Sequence, residues 1–405
     1  MSEYAKRIPA MQGEVRNLKV LTDALTMPSI VSFAGGAPAK EAYPFEQLRE
    51  ICADIFYPDV RGYGAVAYGS QLGNVQLREA VRDYLLKPRG LDVGIENIMI
   101  TAGGIQPLNF MSVLYLDPGD TILVESPSFV HASMIYKMYE ANFVPCPMDE
   151  NGLIIEGLEE KILKHKPKFI YTVPTFHNPT GITLCTERRK ALAELANKHD
   201  VMVLEDDPYR ELRYSGEELP LIKSFDKNDN VIFAGSLSKI FSPGARLGFI
   251  VASEEQIAQL CSIKLGTDTC TNTVTQAIAA EFFARGYYPQ HLENLKNIYR
   301  GRCAAMVKAI DDYFPAGTVR TDPDGGYYVW CELPEGLDSG ALAAEVAEKL
   351  NICYGNGAIF YTEGNEAGAG RRCMRLNFGG QTEASITENF KRLGEFFTEK
   401  LEEQR

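Results

Sequence analysis

Asn97-Ile98-Met99-Ile100-Thr101-Ala102-Gly103-Gly104-Ile105-Gln106 is the stretch from which the fold is read. Residues 97–101 have the length and apolar character of a short buried strand, Ala102-Gly103-Gly104 makes a tight turn, and residues 107–116 carry a helical pattern. The same punctuation recurs downstream. Asp117-Pro118-Gly119-Asp120 turns into Thr121-Ile122-Leu123-Val124-Glu125, and residues 169–172, 201–205, 231–234 and 249–252 continue the series of short apolar runs between amphipathic stretches. This alternation predicts an α/β fold: a large domain with a mostly parallel sheet covered by helices. In such sheets ligands gather at the carboxyl ends of the strands.

From about residue 281 to 314 the pattern becomes long and helical, with interruptions expected near Gly286 and Pro289. Residues 326–333 and 374–378 then read as strands, flanked by amphipathic helices near 339–350 and 382–402, which predicts a smaller α+β domain. The expected division is an N-terminal arm over 1–45 that partly joins the small domain, a large domain over 46–285 and a C-terminal small domain over 286–405.

With 405 residues, 45% of them hydrophobic and 23% charged, the chain can bury a sizeable core. Its formal net charge of -13 speaks against a nucleic-acid partner, whose phosphates demand basic surface. The N-terminal residues lack a secretory apolar stretch, and no run has the length of a membrane span. The 9 cysteines form no Cys-x-x-Cys pair, which fits free thiols in a reducing cytoplasm. Five histidines without ligand spacing give no reason to expect a metal.

Chemistry concentrates at the predicted strand ends. Gly235-Ser236-Leu237-Ser238-Lys239 precedes Pro243-Gly244-Ala245-Arg246-Leu247-Gly248, so one lysine is bracketed by hydroxyls with an arginine close behind. A lysine that forms an imine with an aldehyde needs an anchoring site for the aldehyde's phosphate, and hydroxyls with a guanidinium fork provide one. A solvated loop would have the same composition. The Gly103-Gly104-Ile105 turn opens a helix whose backbone N–H groups can receive a phosphate, although such turns are also common structural devices. Phe129, in Ser126-Pro127-Ser128-Phe129, can stack on a planar ring or fill the core. Asn178-Pro179-Thr180-Gly181 is either a plain turn or a source of an amide donor. Glu205-Asp206-Asp207-Pro208-Tyr209 ends a strand with carboxylates that either face water or meet a buried cation; Asp207 suits the watery alternative. Arg375, in Arg375-Leu376-Asn377-Phe378, can grip a carboxylate bidentately or join a surface ion pair.

Taken in order, Asn-Pro-Thr-Gly, Asp-Asp-Pro-Tyr, Ser-Leu-Ser-Lys with its arginine, and Arg-Leu-Asn-Phe resemble the fold-type I aminotransferases, which use pyridoxal 5'-phosphate. The likeness runs nearly end to end. Phe33-Ala34-Gly35-Gly36-Ala37-Pro38 and Tyr68-Gly69-Ser70-Gln71-Leu72-Gly73 point to the branch of 2-aminoadipate, kynurenine and broad-range aromatic or branched-chain enzymes. The resemblance implies that Lys239 holds the cofactor and, once displaced by substrate, carries the proton. It implies that Asp206 keeps the cofactor's ring nitrogen protonated and that Tyr209 and Asn178 bond its phenolic oxygen. Gly103, Gly104, Ile105, Ser236, Ser238 and Arg246 would surround the phosphate, and Phe129 would stack on the ring. Tyr68 would reach the phosphate of a neighbouring subunit, making the active unit a homodimer. Arg375 would clamp the substrate's α-carboxylate beside Gly36 and Asn178, and Arg16 would meet a side-chain carboxylate.

The chain departs from the family's habit in two places. Phe129 stands where a tyrosine is usual, and Gly104 and Ile105 replace a serine and a glutamine, so side-chain hydrogen bonds to the cofactor are fewer. The resemblance implies amino transfer from an L-amino acid to a 2-oxo acid such as 2-oxoglutarate. A lyase or racemase on the same scaffold, or a non-catalytic sensor domain, are the alternatives. A nucleotide-binding protein would need a Gly-x-Gly-x-x-Gly or phosphate loop after an early strand, which is missing there.

Overall fold

The computed structural model describes residues 4–5, 7–8 and 30–403. Two sheets organise them. The larger has eight strands: β2 (Ile98–Thr101), β3 (Thr121–Ser126), β4 (Asn142–Asp149), β5 (Gly152–Leu153), β6 (Phe169–Thr172), β7 (Met202–Asp206), β8 (Val231–Ser236) and β9 (Gly248–Val251). Their spatial order is β2-β9-β8-β7-β6-β3-β4-β5. All run in one direction except β9 and the short edge strand β5. The smaller sheet runs β1 (Val31–Phe33), β12 (Ile352–Asn356), β13 (Cys373–Asn377), β11 (Tyr328–Glu332), β10 (Val319–Arg320).

Alternating side chains send successive strand residues into two different cores. In β3, Ile122 and Val124 face the helices Ile105–Tyr115, Val130–Met138 and Glu254–Thr267, whereas Leu123 faces the helices Leu158–His165 and Thr186–His199. In β7, Leu204 and Val203 divide in the same way. Both faces of the sheet are thus covered, and β2, β6 and β9 have every residue buried. That is why these strands read as continuous apolar runs rather than as alternation.

The reversal of β9 is not written in its composition. An apolar run is equally at home parallel or antiparallel, and direction is decided by the length of the connection from β8. Two further strands escape the apolar pattern. β4 contains Pro145 and Pro147, which argue against a strand, yet it pairs along its length with β3 and meets β5 only at Met148 and Asp149. In β12, Gly355 breaks the run because its backbone passes close to Arg375, where an added Cβ would lie 3.2 Å from the arginine's Cβ.

The long helical region divides once. Gly286, at φ +73°, separates the helix Thr273–Ala284 from Tyr287–Tyr313. The interruption expected at Pro289 is absent, because Pro289 sits in the first turn, where no intrahelical N–H bond is lost. The smaller sheet packs on this helix and on Glu383–Glu402 through Phe33, Val329 and Leu376 against Leu295, Met306, Phe390 and Phe397. Phe33 meets Phe390 edge-on at 4.9 Å, a pair that contributes ~0.5–1.5 kcal/mol beyond its burial. This contact, with the parallel pairing of β1 to β12, fixes where residues 34–36 leave the sheet. Among the described residues no helix is long and apolar enough to cross a membrane.

Candidate active site

Because β2, β3, β6, β7 and β8 share a direction, their carboxyl ends form one edge of the sheet. β9 runs back and begins at that same edge, so Arg246, two residues ahead of it, is delivered there too. A cavity of about 170 Å³ opens on this edge, lined by Gly104, Ile105, Phe129, Asn178, Asp206, Tyr209, Ser236, Ser238, Lys239 and Arg246. Most of the residues singled out in the sequence therefore converge, from five different strand ends. The volume is smaller than the ~300–1,000 Å³ of drug-sized sites and suits one substituted ring rather than a dinucleotide.

One end of the cavity is built for an anion. Gly104 is the N-cap of the helix Ile105–Tyr115 without any side-chain cap, so the first-turn N–H groups are free to serve a ligand. Gly103 has φ +78°, and a Cβ there would collide with the Arg246 guanidinium. A Cβ on Gly104 would stand 3.4 Å from the Cβ of Ser236. The Ser238 N–H donates to Ser236 Oγ at 3.2 Å, which folds the two hydroxyl residues over the helix start. The concave surface thus combines backbone donors, two hydroxyls and one guanidinium.

The other end holds a buried carboxylate. Asp206 accepts a hydrogen bond from the Tyr171 hydroxyl at 2.8 Å. Burial pushes its carboxyl up to about 7; the Tyr171 bond opposes this, and the nearby Asp207 and Glu125 add to it. Asp207 does not face water, contrary to the simple reading of an acidic strand end. It is buried, accepts from Thr175 Oγ1 at 2.8 Å and lies 3.5 Å from Arg210 Nε. Glu205 is buried as well and accepts the Ile222 and Lys223 N–H groups, each at 2.9 Å. Only Asp206 of the three lines the cavity.

Lys239 lies between the two ends. Its Nζ donates to the Gly36 carbonyl at 2.6 Å. The residue is half-buried, open on the cavity side, while its ammonium is enclosed by protein; burial lowers its pKa, and Arg375 and Arg246 lower it further against the opposing pull of Tyr328. Tyr209 brings its hydroxyl to 3.4 Å from Asn178 Nδ2, which donates to it. Phe129 is half-buried on the cavity wall.

Arg375 and Gly36 stand just outside the cavity and are joined to it by side chains that line it. Arg375 Nη1 donates to Asn178 Oδ1 at 2.8 Å and Nη2 to the Ala34 carbonyl at 2.5 Å, while its buried Nε has no protein partner. The guanidinium sits between the Tyr328 ring at 4.5 Å and the Phe360 ring at 4.8 Å. Asn377 Nδ2 donates to the Gly35 carbonyl at 2.6 Å, so β13 grips both sides of the 34–36 segment. Tyr68 is 92% exposed and lies away from the cavity of its own chain. Arg16 lies outside the described residues.

Several residues at the site were not singled out from sequence. Tyr171 and Tyr328 occur inside apolar strands, where their rings hide their hydroxyls. A buried tyrosine oxygen needs a partner, and that was the available signal. Glu125 and His177 form a second buried layer: Glu125 accepts Thr172 Oγ1 at 2.6 Å and the Val173 N–H at 2.8 Å, and His177 Nε2 lies 3.1 Å from it. His177 immediately precedes Asn178, so this pair braces the loop that carries it.

Residues 59–393 match the family described as aminotransferase class I and II. The aromatic-amino-acid aminotransferase 1 of Thermococcus litoralis is 36% identical over 98% of this chain and 94% of its own length. A multiple substrate aminotransferase from Thermococcus profundus superposes with a TM-score of 0.91 at 35% identity, covering 99% of this chain and 98% of that one. The kynurenine aminotransferase of Pyrococcus horikoshii, solved with PMP, gives a TM-score of 0.88 at 38% identity over 96% and 95% of the two chains. The chain belongs to the class I and II aminotransferases. It is an enzyme of amino-group transfer, acting on amino and oxo acids.

Proposed function

We propose that the chain is a pyridoxal 5'-phosphate-dependent aminotransferase whose donors are L-amino acids with aromatic side chains and whose acceptor is a 2-oxo acid, 2-oxoglutarate first among them. The residues fit that cofactor. Gly103, Gly104, Ile105, Ser236, Ser238 and Arg246 would hold its phosphate, Phe129 its ring face, Asp206 its ring nitrogen, and Asn178 and Tyr209 its phenolic oxygen. The fit rests on the space that only glycine leaves beside Arg246 and on the buried Asp206 carboxylate, which accepts from Tyr171 and forms no ion pair among the described residues. When bound, the cofactor supplies an aldehyde to accept the amino group and a protonated ring to draw electrons from the substrate's α-carbon.

Lys239 is the nucleophile and the proton carrier, and its lowered pKa favours the neutral amine that both tasks require. Arg375 fixes the α-carboxylate and Gly36 leaves room for it. The observation that carries the donor class is the setting of Arg375 between the faces of Tyr328 and Phe360. A substrate held by that clamp extends its side chain among aromatic rings, and Arg246 is the one arginine on the cavity wall among the described residues. Branched-chain and 2-aminoadipate-like donors are the secondary choices, the last depending on Arg16.

The division into an arm over 1–45, a large domain over 46–285 and a small domain over 286–405 is proposed on the pairing of β1 with β12. A homodimer with shared sites is proposed from the exposed apolar run that includes Tyr57, Val60, Tyr63, Val66 and Tyr68, which a second copy would cover. Nine unpaired cysteines favour the cytoplasm.

The test is the visible spectrum of the cofactor-loaded protein after adding single L-amino acids without any oxo acid. Conversion to the pyridoxamine form fastest with phenylalanine, tyrosine or kynurenine is expected. Faster conversion with 2-aminoadipate or a branched-chain amino acid than with any aromatic one would overturn the donor class; glutamate, the product expected from 2-oxoglutarate, converts the enzyme under either outcome.

A further inference from the structure

The helix Thr186–His199 carries two adjacent arginines in its first turn, and their guanidinium groups go to opposite environments. Arg188 turns outward and grips the Asp149 carboxylate at 2.6 and 2.7 Å. Arg189 turns inward and has no exposed surface. Burying a charge is costly unless hydrogen bonds replace its water, and a cation this close to a helix start also opposes the helix dipole. Its hydrogen bonds all go to acceptors outside its own helix, none of them a carboxylate. Nε donates to the Leu184 carbonyl at 2.8 Å, Nη2 to the Pro174 carbonyl at 2.7 Å and to Thr175 Oγ1 at 3.0 Å, and Nη1 to the Pro220 carbonyl at 3.2 Å.

Pro174 and Leu184 are the two feet of the loop that carries Asn178. The Leu184 N–H donates to the Pro174 carbonyl at 2.8 Å; further up, the His177 N–H meets the Ile182 carbonyl at 2.8 Å and the Gly181 N–H meets the His177 carbonyl at 2.6 Å. The loop is therefore bonded to itself along its height, with Arg189 across its base and Asn178 near its tip. Thr175 passes the contact on: its hydroxyl donates to Asp207 Oδ2 at 2.8 Å, one residue from Asp206. Resting on the reading of the site given above, we propose that Arg189 is a positioning residue for amino transfer, which holds Pro174, Thr175 and Leu184 so that the loop presents the Asn178 amide to Arg375 and Tyr209.

Neither Arg189 nor any of its four partners lines the cavity, so its influence on the reaction passes through the loop. A guanidinium suits the task because its donors lie in one rigid plane, and a single side chain can span both feet at a set separation. The far side of the loop is tied to the small sheet, where Arg375 donates to Asn178 Oδ1 and Thr321 Oγ1 donates to the Thr180 carbonyl at 2.8 Å. Arg189 thus holds from the large domain the same segment that the small sheet reaches from its own side. A displaced loop loses both its hold on substrate and its turnover. A merely weakened fold lowers the amount of active enzyme instead, which reduces kcat and leaves KM alone.

The experiment is a double-mutant cycle between Arg189→Lys and Asn178→Ala, with Arg188→Gln as the control at the outward-facing neighbour. In the loaded enzyme, Arg189→Lys should lower kcat/KM for an aromatic amino acid at least ~10-fold with KM rising, Arg188→Gln should change it less than ~2-fold, and Arg189→Lys should cost nothing further once Asn178 is alanine. In the cofactor-free protein, amide hydrogen exchange over residues 174–184 should quicken at least ~10-fold in Arg189→Lys, while the strands of the large sheet keep their protection. Should Arg189→Lys fail to fold, Thr175→Val, which removes one acceptor, takes its place in the cycle, and Thr175→Ser should restore the loss. A fall in kcat at constant KM, losses that add across the cycle, or unchanged exchange over 174–184 would overturn the role of Arg189 and leave the site reading standing. A silent Asn178→Ala would remove the site reading itself, and the role of Arg189 with it.

Discussion

Arg375 and Asn178 are joined by a 2.8 Å hydrogen bond across the gap between the two sheets, guanidinium donating to side-chain carbonyl. The same amide uses its nitrogen to donate to Tyr209. A single side chain therefore registers the Arg375 guanidinium of the small sheet against the tyrosine that follows β7.

This predicts separable defects at the two positions. Arg375→Lys removes the planar fork and should raise the amino-acid KM by at least ~10-fold, because a lysine cannot reproduce two-point contact. Asn178→Ala should lower kcat as well, on the order of 10²-fold, since both the clamp and Tyr209 lose their partner. Steady-state kinetics with one aromatic donor checks both. Equal and small effects on KM alone would show that the amide is not the link.

Asp206 gives a prediction about stability. Its folded carboxyl keeps a proton up to about 7. An unfolded aspartate loses it near ~3.9, so the folded state binds the extra proton between these limits and stability falls as pH rises through that window. Glu205 and Glu211, each also raised to about 7 by burial, act with the same sign. Asp206→Asn should raise the melting temperature of the cofactor-free protein by a few degrees at about pH 8 and by less at about pH 5. The same variant should lose roughly 10²- to 10³-fold in amino transfer, having no charge to hold a ring nitrogen protonated.

The lysine should titrate early. Burial, helped by Arg375 and Arg246, lowers the Lys239 pKa, so its neutral form is present at lower pH than that of a free lysine. The rate at which cofactor-free protein captures pyridoxal 5'-phosphate should therefore level off at a pH below the ordinary lysine value of ~10.4. A capture rate still climbing at that pH would show an ordinary lysine.

Gly103→Ala tests the anion end. The new methyl group would meet the Arg246 guanidinium and would also have to adopt φ +78°. Cofactor affinity should drop at least ~10-fold, while thermal stability falls by only ~1–2 kcal/mol, the cost of strain at one turn. Equilibrium dialysis of the cofactor, alongside thermal melting, separates the two effects.

The sequence makes much of this architecture readable because the strands of a covered sheet are bare apolar runs and their ends carry unusual residues. Lys239, Asp206, Asn178 and Gly103 were all legible in that way. What stayed hidden has physical causes. The direction of β9 depends on a connection rather than on composition. The prolines of β4 disguise a strand that pairs fully with only one long neighbour. Tyr171, Tyr328, Glu125 and His177 act through partners far away in sequence, and a hydroxyl or carboxylate inside an apolar run gives no sign of which partner it will meet.

Amino transfer moves nitrogen between two carbon skeletons, so the most direct measurement follows the nitrogen itself. The loaded enzyme is given an aromatic L-amino acid labelled with heavy nitrogen together with unlabelled 2-oxoglutarate, and the products are weighed by mass spectrometry. Labelled glutamate and the aromatic 2-oxo acid are expected in equal amounts. Labelled ammonium, or labelled starting amino acid of inverted configuration with no glutamate, would contradict amino transfer.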